Sequence, residues 1–219
     1  MKRIKLGVLV SGGGSNLQSI IDHIEAGNIP ASIAVVISNQ PEAHGLVRAE
    51  KHGIENLLVN HRNFPSRESF DARLVEILRE REVDLVVLAG FMRLLSREFL
   101  KAFPDRVMNI HPALLPSFPG THVWGDQIRH GVKFSGCTVH FVDEGMDTGP
   151  IIIQAVVPVL DEDDDEALAA RILRQEHRIY PQAVKLFAEG RLTVEGRRVK
   201  VSPLDRSLEN FGLSNPAIG

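Results

Sequence analysis

Three side chains near the middle of the chain could carry out chemistry together: Asn109 and His111 in NIHPALLPSFPG, and Asp147 in VDEGMDTGP. Asn109 and His111 are two apart, so on extended chain they point to the same face. An amide and an imidazole side by side can both donate to one developing oxyanion. A carboxylate near the imidazole is expected to raise its pKa and hold it protonated, or to position a water for proton transfer. No serine or cysteine stands as an obvious nucleophile, so direct attack by a substrate amine on an acyl donor fits these groups best. Each residue also has a plainer reading, His111 as a packed histidine and Asp147 as a turn residue ahead of Thr148-Gly149-Pro150. Their joint placement at strand ends favours the chemistry. Pro112, Pro116 and Pro119 then stiffen the chain that follows His111, since proline fixes its own φ and restricts the residue before it.

A second feature is the stretch Ser11-Gly12-Gly13-Gly14-Ser15-Asn16, which joins a strand to a helix. Glycines let backbone approach a ligand closely, and amides at a helix N-terminus favour anions. Ser15 or Asn16 could donate to a phosphate or cap the helix. The spacing is not that of a dinucleotide fingerprint, because Leu17 occupies the third glycine's place and Ser38-Asn39-Gln40 offers no acid for a ribose hydroxyl. No Gly-Lys-Ser/Thr follows, which excludes a Walker A loop. A phosphomonoester is the expected ligand, and NAD is not expected.

The elements that must position these groups follow from the apolar pattern. Strands are expected at 4–10, 33–38, 56–59, 84–89, 107–110, 134–142 and 151–157, and helices at 15–26, 41–52, 67–81 and 165–189. Runs such as DLVVLAG, apolar throughout, suit strands covered on both faces. Strand–helix alternation predicts an α/β, doubly wound, mostly parallel sheet of about seven strands, with ligands beyond the carboxyl ends of the strands. Residues 191–201 read as a hairpin turning at Glu195-Gly196. The expected organisation is a catalytic unit over 1–190, with the hairpin and a tail over 191–219 belonging to the same unit.

Composition sets the outer bounds. The chain has 219 residues, 43% of them hydrophobic, and a net charge of −3, which argues against general nucleic-acid binding. No apolar run reaches the roughly 18–20 residues of a membrane span. The basic, apolar N-terminus imitates a signal peptide, but Lys5 interrupts it and a first strand fits better. Cys137 is the single cysteine, consistent with a cytoplasmic protein; on its alternating strand it shares a face with Val139 and Phe141 and reads as a small core residue. His111, His122, His130 and His140 match none of the common zinc spacings, so no metal is expected. The acidic run at 161–166 reads as a solvated loop that supplies charge to the N-terminus of the last helix. Arg93, directly beyond an inner strand, is placed to meet a ligand carboxylate.

SGGGSN (11–16), LAGFMRLLS (88–96), NIHPALLPSFPG (109–120), SGCTVHFVDEGMDTGPII (135–152) and QEHRIYP (175–181) together closely resemble the folate-dependent phosphoribosylglycinamide formyltransferase family, in order over about residues 5–192. The HPALLP block alone would mark only the wider group of formyl-handling enzymes. The resemblance implies transfer of a formyl group from 10-formyltetrahydrofolate, as co-substrate, to the amine of N1-(5-phospho-D-ribosyl)glycinamide in purine synthesis. It makes Asn109, His111 and Asp147 the catalytic trio. It puts the substrate phosphate at Gly14, Ser15 and Asn16, with Glu176 near the glycinamide part. The formylfolate would lie against Arg67, Met92, Arg93, Leu94, Leu95 and Asn109. The partners are then small-molecule substrates, with no nucleic acid or membrane, and the expected assembly is a monomer or homodimer. The chain departs from the family at 121–131, where His122 keeps the family's histidine but Thr121, Trp124 and Gly125 are unusual. Two alternatives remain open at this point: a formyltetrahydrofolate hydrolase, in which water replaces the amine, and a non-catalytic folate or nucleotide binder.

Overall fold

Strand β1 (Ile4–Val10) shows how the molecule is layered. Leu6, Val8 and Val10 enter the core on one face and Leu9 enters the core on the other, all fully buried. A strand whose alternate residues are apolar on both sides must be covered on both sides. In the computed structural model, which describes residues 3–203 together with Leu213 and Asn215, β1 is an inner strand of one large sheet. Its other strands are β2 (Ala31–Ser38), β3 (Asn56–Leu58), β4 (Leu85–Leu88), β5 (Val107–His111), β6 (Phe134–Phe141), β7 (Ile151–Pro158), β8 (Leu192–Glu195) and β9 (Arg198–Val201). Helices α1 (Ser15–Glu25), α2 (His44–Lys51) and α6 (Asp165–Ala188) cover one face, and α3 (Arg67–Glu80) and α4 (Arg97–Ala102) the other. A further helix, α5 (Val123–Arg129), follows the proline segment.

The strand order is β3-β2-β1-β4-β5-β6-β7-β9-β8. The first five strands are parallel, while β6 runs antiparallel to β5 and to β7. The sheet therefore has nine strands among the described residues rather than about seven. The difference is the C-terminal hairpin, β8 and β9, which joins the edge of β7 through the pair Ile151 and Arg198. That edge pairing lies between residues far apart in sequence, and no local pattern announces it. The tail expected beyond the hairpin falls, Leu213 and Asn215 apart, outside the described residues.

Order reversal between β1 and β4 makes a crevice at their carboxyl ends, the place where open α/β sheets bind ligands. Helix α6 is fixed to this end of the sheet by Tyr180, whose buried hydroxyl lies 2.9 Å from the carbonyls of both Leu88 and Met108. The acidic run before α6 behaves as a cap: Asp164 accepts the Ala167 N–H at 2.8 Å, Asp165 and Glu166 occupy the first turn, and Asp163 pairs with Arg171. Among the described residues no helix is long and apolar enough to cross a membrane.

Candidate active site

Strand β5 runs one residue further than its apolar pattern suggests and ends on His111 itself. Its antiparallel partner β6 sets His140 directly opposite Asn109, and Thr138 opposite His111. His140 was read from sequence only as part of an unconvincing metal set. Register brings it into the site: its Nε2 lies 3.2 Å from Asn109 Nδ2. The Nδ1 of His140 is 2.9 Å from the Phe141 carbonyl, which can only accept, so in a neutral ring the proton sits on Nδ1 and Nε2 accepts from Asn109. This fixes which end of the Asn109 amide is the donor and leaves its second N–H for a ligand.

Asp147 arrives from the loop between β6 and β7 with a left-handed backbone, φ 55°. Its Oδ2 accepts the Gly120 N–H at 2.8 Å and lies 3.4 Å from His111 Nδ1; its Oδ1 approaches His140 Nε2 to 3.7 Å, too long for a hydrogen bond. Asp143 builds the turn that delivers Asp147, since its Oδ1 accepts both the Gly145 N–H and the Thr148 hydroxyl. Burial raises the Asp147 carboxyl, but the Gly120 amide and positive charge on either neighbouring imidazole, His140 or His111, act the other way and hold the group below the ordinary carboxylate range.

His111 is 4% exposed, and its Nε2 donates to the Phe118 carbonyl at 2.8 Å. Burial lowers its pKa and outweighs the Phe118 carbonyl and the Asp147 charge, both of which act in the other direction. The carboxylate acts on the imidazole in the direction expected from the sequence, but the net result is opposite. The ring lies below its ordinary value and is mostly neutral near neutral pH. With the proton on Nε2, the basic nitrogen is Nδ1, and a proton arriving there meets Asp147 at once.

The proline segment is clamped from three sides. Thr138 on β6 donates to the Ala113 carbonyl at 2.7 Å and accepts the Leu115 N–H at 3.1 Å. Gln154 on β7 donates to the Leu115 carbonyl at 2.9 Å, and Gln127 on α5 to the Pro112 carbonyl at 3.2 Å. The unusual 121–131 segment thus still forms a helix and supplies one clamp; His122 caps it with φ 61°. Proline removes backbone donors, so these side chains satisfy the remaining groups and carry the Phe118 carbonyl to His111.

At the crevice, Gly14 caps α1 in a left-handed conformation (φ 70°), and among the described residues no side chain caps the helix, which leaves its first amides available to a ligand. A cavity of about 250 Å³ lies here, lined by residues 11–16 with Ala89, Gly90 and Met92. Ser11 ties its two walls together: its hydroxyl donates to Asn39 at 2.6 Å and accepts the Met92 N–H at 2.9 Å. The Asn16 Nδ2 donates to Glu176 Oε2 at 2.7 Å, while the buried Asn16 Oδ1 has no partner among the described residues. Burial raises the Glu176 carboxyl, opposed by that Asn16 bond. Ser15 opens α1 beside the same cavity.

The remaining candidates lie after β4. Met92 and Leu94 are 73% and 54% exposed, whereas Leu95 packs into the core under α3 and α4. Arg93 lies over the Phe70 ring at 5.2 Å, and its buried Nε has no partner among the described residues. Arg67, the first residue of α3, pairs with Glu68 at 3.4 Å. Both arginines face the buried Asp71, whose carboxyl is raised by burial and opposed by hydrogen bonds from Ser96 and by the two cations. Cys137 is fully buried, and burial with the Glu176 charge pushes its thiol up to about 12, so it is no nucleophile. Among the described residues no three metal-ligating side chains converge.

An amide and an imidazole–carboxylate pair thus meet at one strand end, beside a glycine loop that opens a helix. Residues 4–184 match the formyl transferase family, and the chain belongs to it. It is 44% identical over 191 residues to phosphoribosylglycinamide formyltransferase of Haemophilus influenzae, covering 87% of this chain and 90% of that one. It is 49% identical over 191 residues to the trifunctional purine biosynthetic protein adenosine-3 of Drosophila melanogaster, covering 86% of this chain but only 14% of that much longer protein. The structure of glycinamide ribonucleotide transformylase 1 from Symbiobacterium toebii superposes with a TM-score of 0.90 at 55% identity, covering 91% of this chain and 94% of the other.

Proposed function

We infer that this protein transfers a formyl group from 10-formyltetrahydrofolate to the amine of phosphoribosylglycinamide, giving the N-formyl product and tetrahydrofolate in purine biosynthesis. Its likeness to the H. influenzae formyltransferase over nine tenths of that chain supports the activity. The observation that carries the chemistry is the pairing of neutral His111 with Asp147 beside an Asn109 amide whose donor end is fixed by His140. In the proposed sequence the substrate amine attacks the formyl carbon, and the carbonyl oxygen becomes an oxyanion that accepts from Asn109. His111 takes the proton shed by the amine on Nδ1, and the imidazolium is stabilised by Asp147. The carbon–nitrogen bond to the folate then breaks, and the proton passes to the departing folate nitrogen.

The glycine loop serves the phosphate in this reading, with Asn16 and Glu176 turned toward the rest of the amine substrate. The unpaired Asn16 Oδ1 supports that role, because a buried acceptor left alone is costly until a ligand donor reaches it. The folate lies along the segment Met92, Arg93, Leu94 and Leu95 with Arg67, where the exposed Met92 and Leu94 and an arginine donor without a partner among the described residues suit a flat ring and a carboxylate tail. The lone cysteine supports a cytoplasmic setting. Supplying both substrates and following tetrahydrofolate release tests the assignment. Release with formylfolate alone would favour the hydrolase, and no release with both would favour a binding protein.

A further inference from the structure

The glycine loop has a back wall, and it is the start of α2. The Gly45 N–H donates to the Gly12 carbonyl at 3.0 Å, and Arg48 Nε donates to the Gly13 carbonyl at 2.8 Å. In a trans peptide the carbonyl and the next N–H point in opposite directions. Drawing the Gly12 and Gly13 carbonyls onto α2 therefore turns the N–H groups of Gly13 and Gly14 away from it. The fit is close: a Cβ on Gly14 would come within 2.7 Å of the Gly45 Cα. Gly14 is thus required by packing as well as by its positive φ, whatever the ligand.

Arg48 adds charge to this geometry. Its Nη1 lies 3.2 Å from Gln18 Oε1, and Gln18 in turn donates to Asp22 at 2.8 Å and meets His52 at 3.0 Å. His52 is held by Glu25 at 2.7 Å. Among the described residues no carboxylate forms an ion pair with Arg48, and the first turn of α1 carries no acid. A half-buried guanidinium therefore stands directly behind the loop with its charge uncancelled. We propose that Arg48 is a positioning residue for the phosphate subsite: it orients the Gly13–Gly14 peptide for a phosphate and supplies the positive potential behind it. This rests on the reading of the glycine loop as the phosphate subsite.

The test compares Arg48→Ala, Arg48→Lys and Gly13→Asp with the parent. A Cβ at Gly13 meets nothing within 4 Å among the described residues, so there is room at this position for an aspartate to add a carboxylate to the loop. Steady-state kinetics with the phosphorylated amine, inhibition by inorganic phosphate, calorimetric binding of a folate analogue, and thermal unfolding are measured for each. Arg48→Ala is expected to raise both the substrate KM and the phosphate inhibition constant about tenfold, the scale of one charge-assisted hydrogen bond. The turnover number, folate-analogue affinity and unfolding midpoint stay near those of the parent, and Arg48→Lys recovers part of the loss. Gly13→Asp raises the same two constants. If Gly13→Asp weakens phosphate while Arg48→Ala does not, the Arg48 proposal fails and the phosphate subsite stands. If Gly13→Asp leaves both constants unchanged, the phosphate does not bind this loop and the proposal falls with it. An Arg48→Ala loss spread equally over folate affinity, turnover and unfolding midpoint means a structural role only, and also overturns it.

Discussion

The end of β5 and the segment after β4 meet the same solvent in opposite ways. Around His111 the side chains are buried and already engaged: Nε2 with Phe118, Nδ1 facing Asp147, Asp147 with Gly120, and Asn109 with His140. After β4, Met92 and Leu94 stand exposed and Arg93 keeps a buried donor that is unpaired among the described residues. In the proposed reading, the reacting groups are thus organised by the protein before substrate arrives, while the proposed binding surface keeps unspent groups that a ligand completes. Preorganisation matters most where charge develops during reaction, because reorienting dipoles at that moment would add to the barrier.

The sharpest way to break this contrast is Asp147→Asn. It removes the acceptor for a proton on His111 but keeps the shape of the loop. Turnover is expected to fall at least about a hundredfold, the lower end of general acid–base contributions, with both substrates bound nearly as in the parent by calorimetry. His111→Ala added to this variant should cost little more, because groups acting as a unit are not additive. Independent, multiplying losses would show that the two do not act as a pair.

On the binding side, Arg93→Ala should weaken folate-analogue binding by about 1–3 kcal/mol, the range for hydrogen bonds to charged groups. Binding of the phosphorylated amine should hardly move. Because Arg93 also faces buried Asp71, a lowered unfolding midpoint accompanies the loss; an unchanged folate affinity would take Arg93 out of the folate surface. A smaller effect is expected from His140→Leu, which frees the Asn109 amide to rotate. Turnover should drop about tenfold, roughly 1.4 kcal/mol of barrier, with KM for both substrates retained. A KM effect of the same size would make His140 a substrate contact instead.

Much of this site was legible before the fold was known. The apolar run of β1 and the glycines after it locate the crevice, and the spacing of Asn109 and His111 gives a shared strand end. What sequence could not supply was register and depth. His140 enters the site only because β6 pairs antiparallel with β5 at a particular offset, and an alternating strand reads the same at any offset. The short helices α4 and α5 lack the length for a clear period, although Ser96 does cap α4 through the Phe99 N–H. Helix α2 begins at His44 rather than at 41, because Ala43 is still extended (ψ 112°). The sign of the His111 shift is hidden from the sequence for a similar reason. A neighbouring carboxylate can be guessed from sequence, whereas the burial that outweighs it is a property of the packed site.

The smallest expected effect is on stability. His111 and Asp147 both have depressed pKa values in the folded protein. For each, the unfolded chain binds its proton first as pH falls, so stability is fully present above the unfolded value and is lost on acidification. The His111 contribution goes as pH drops below about 6.5, and that of Asp147 only below about 3.9. Between about pH 7.5 and about pH 5 the parent should therefore lose more of its unfolding midpoint than His111→Gln does. Equal losses in the two proteins would remove His111 from that window.

The central claim is that burial keeps His111 neutral until reaction puts a proton on it beside Asp147. An NMR titration of the His111 imidazole in ligand-free parent and in Asp147→Asn tests it directly. The account predicts a midpoint below the ordinary value of about 6.5 in the parent, and one lower still in the variant, where the carboxylate no longer offsets burial. A parent midpoint at or above the ordinary value, or one that does not move in Asp147→Asn, would contradict it.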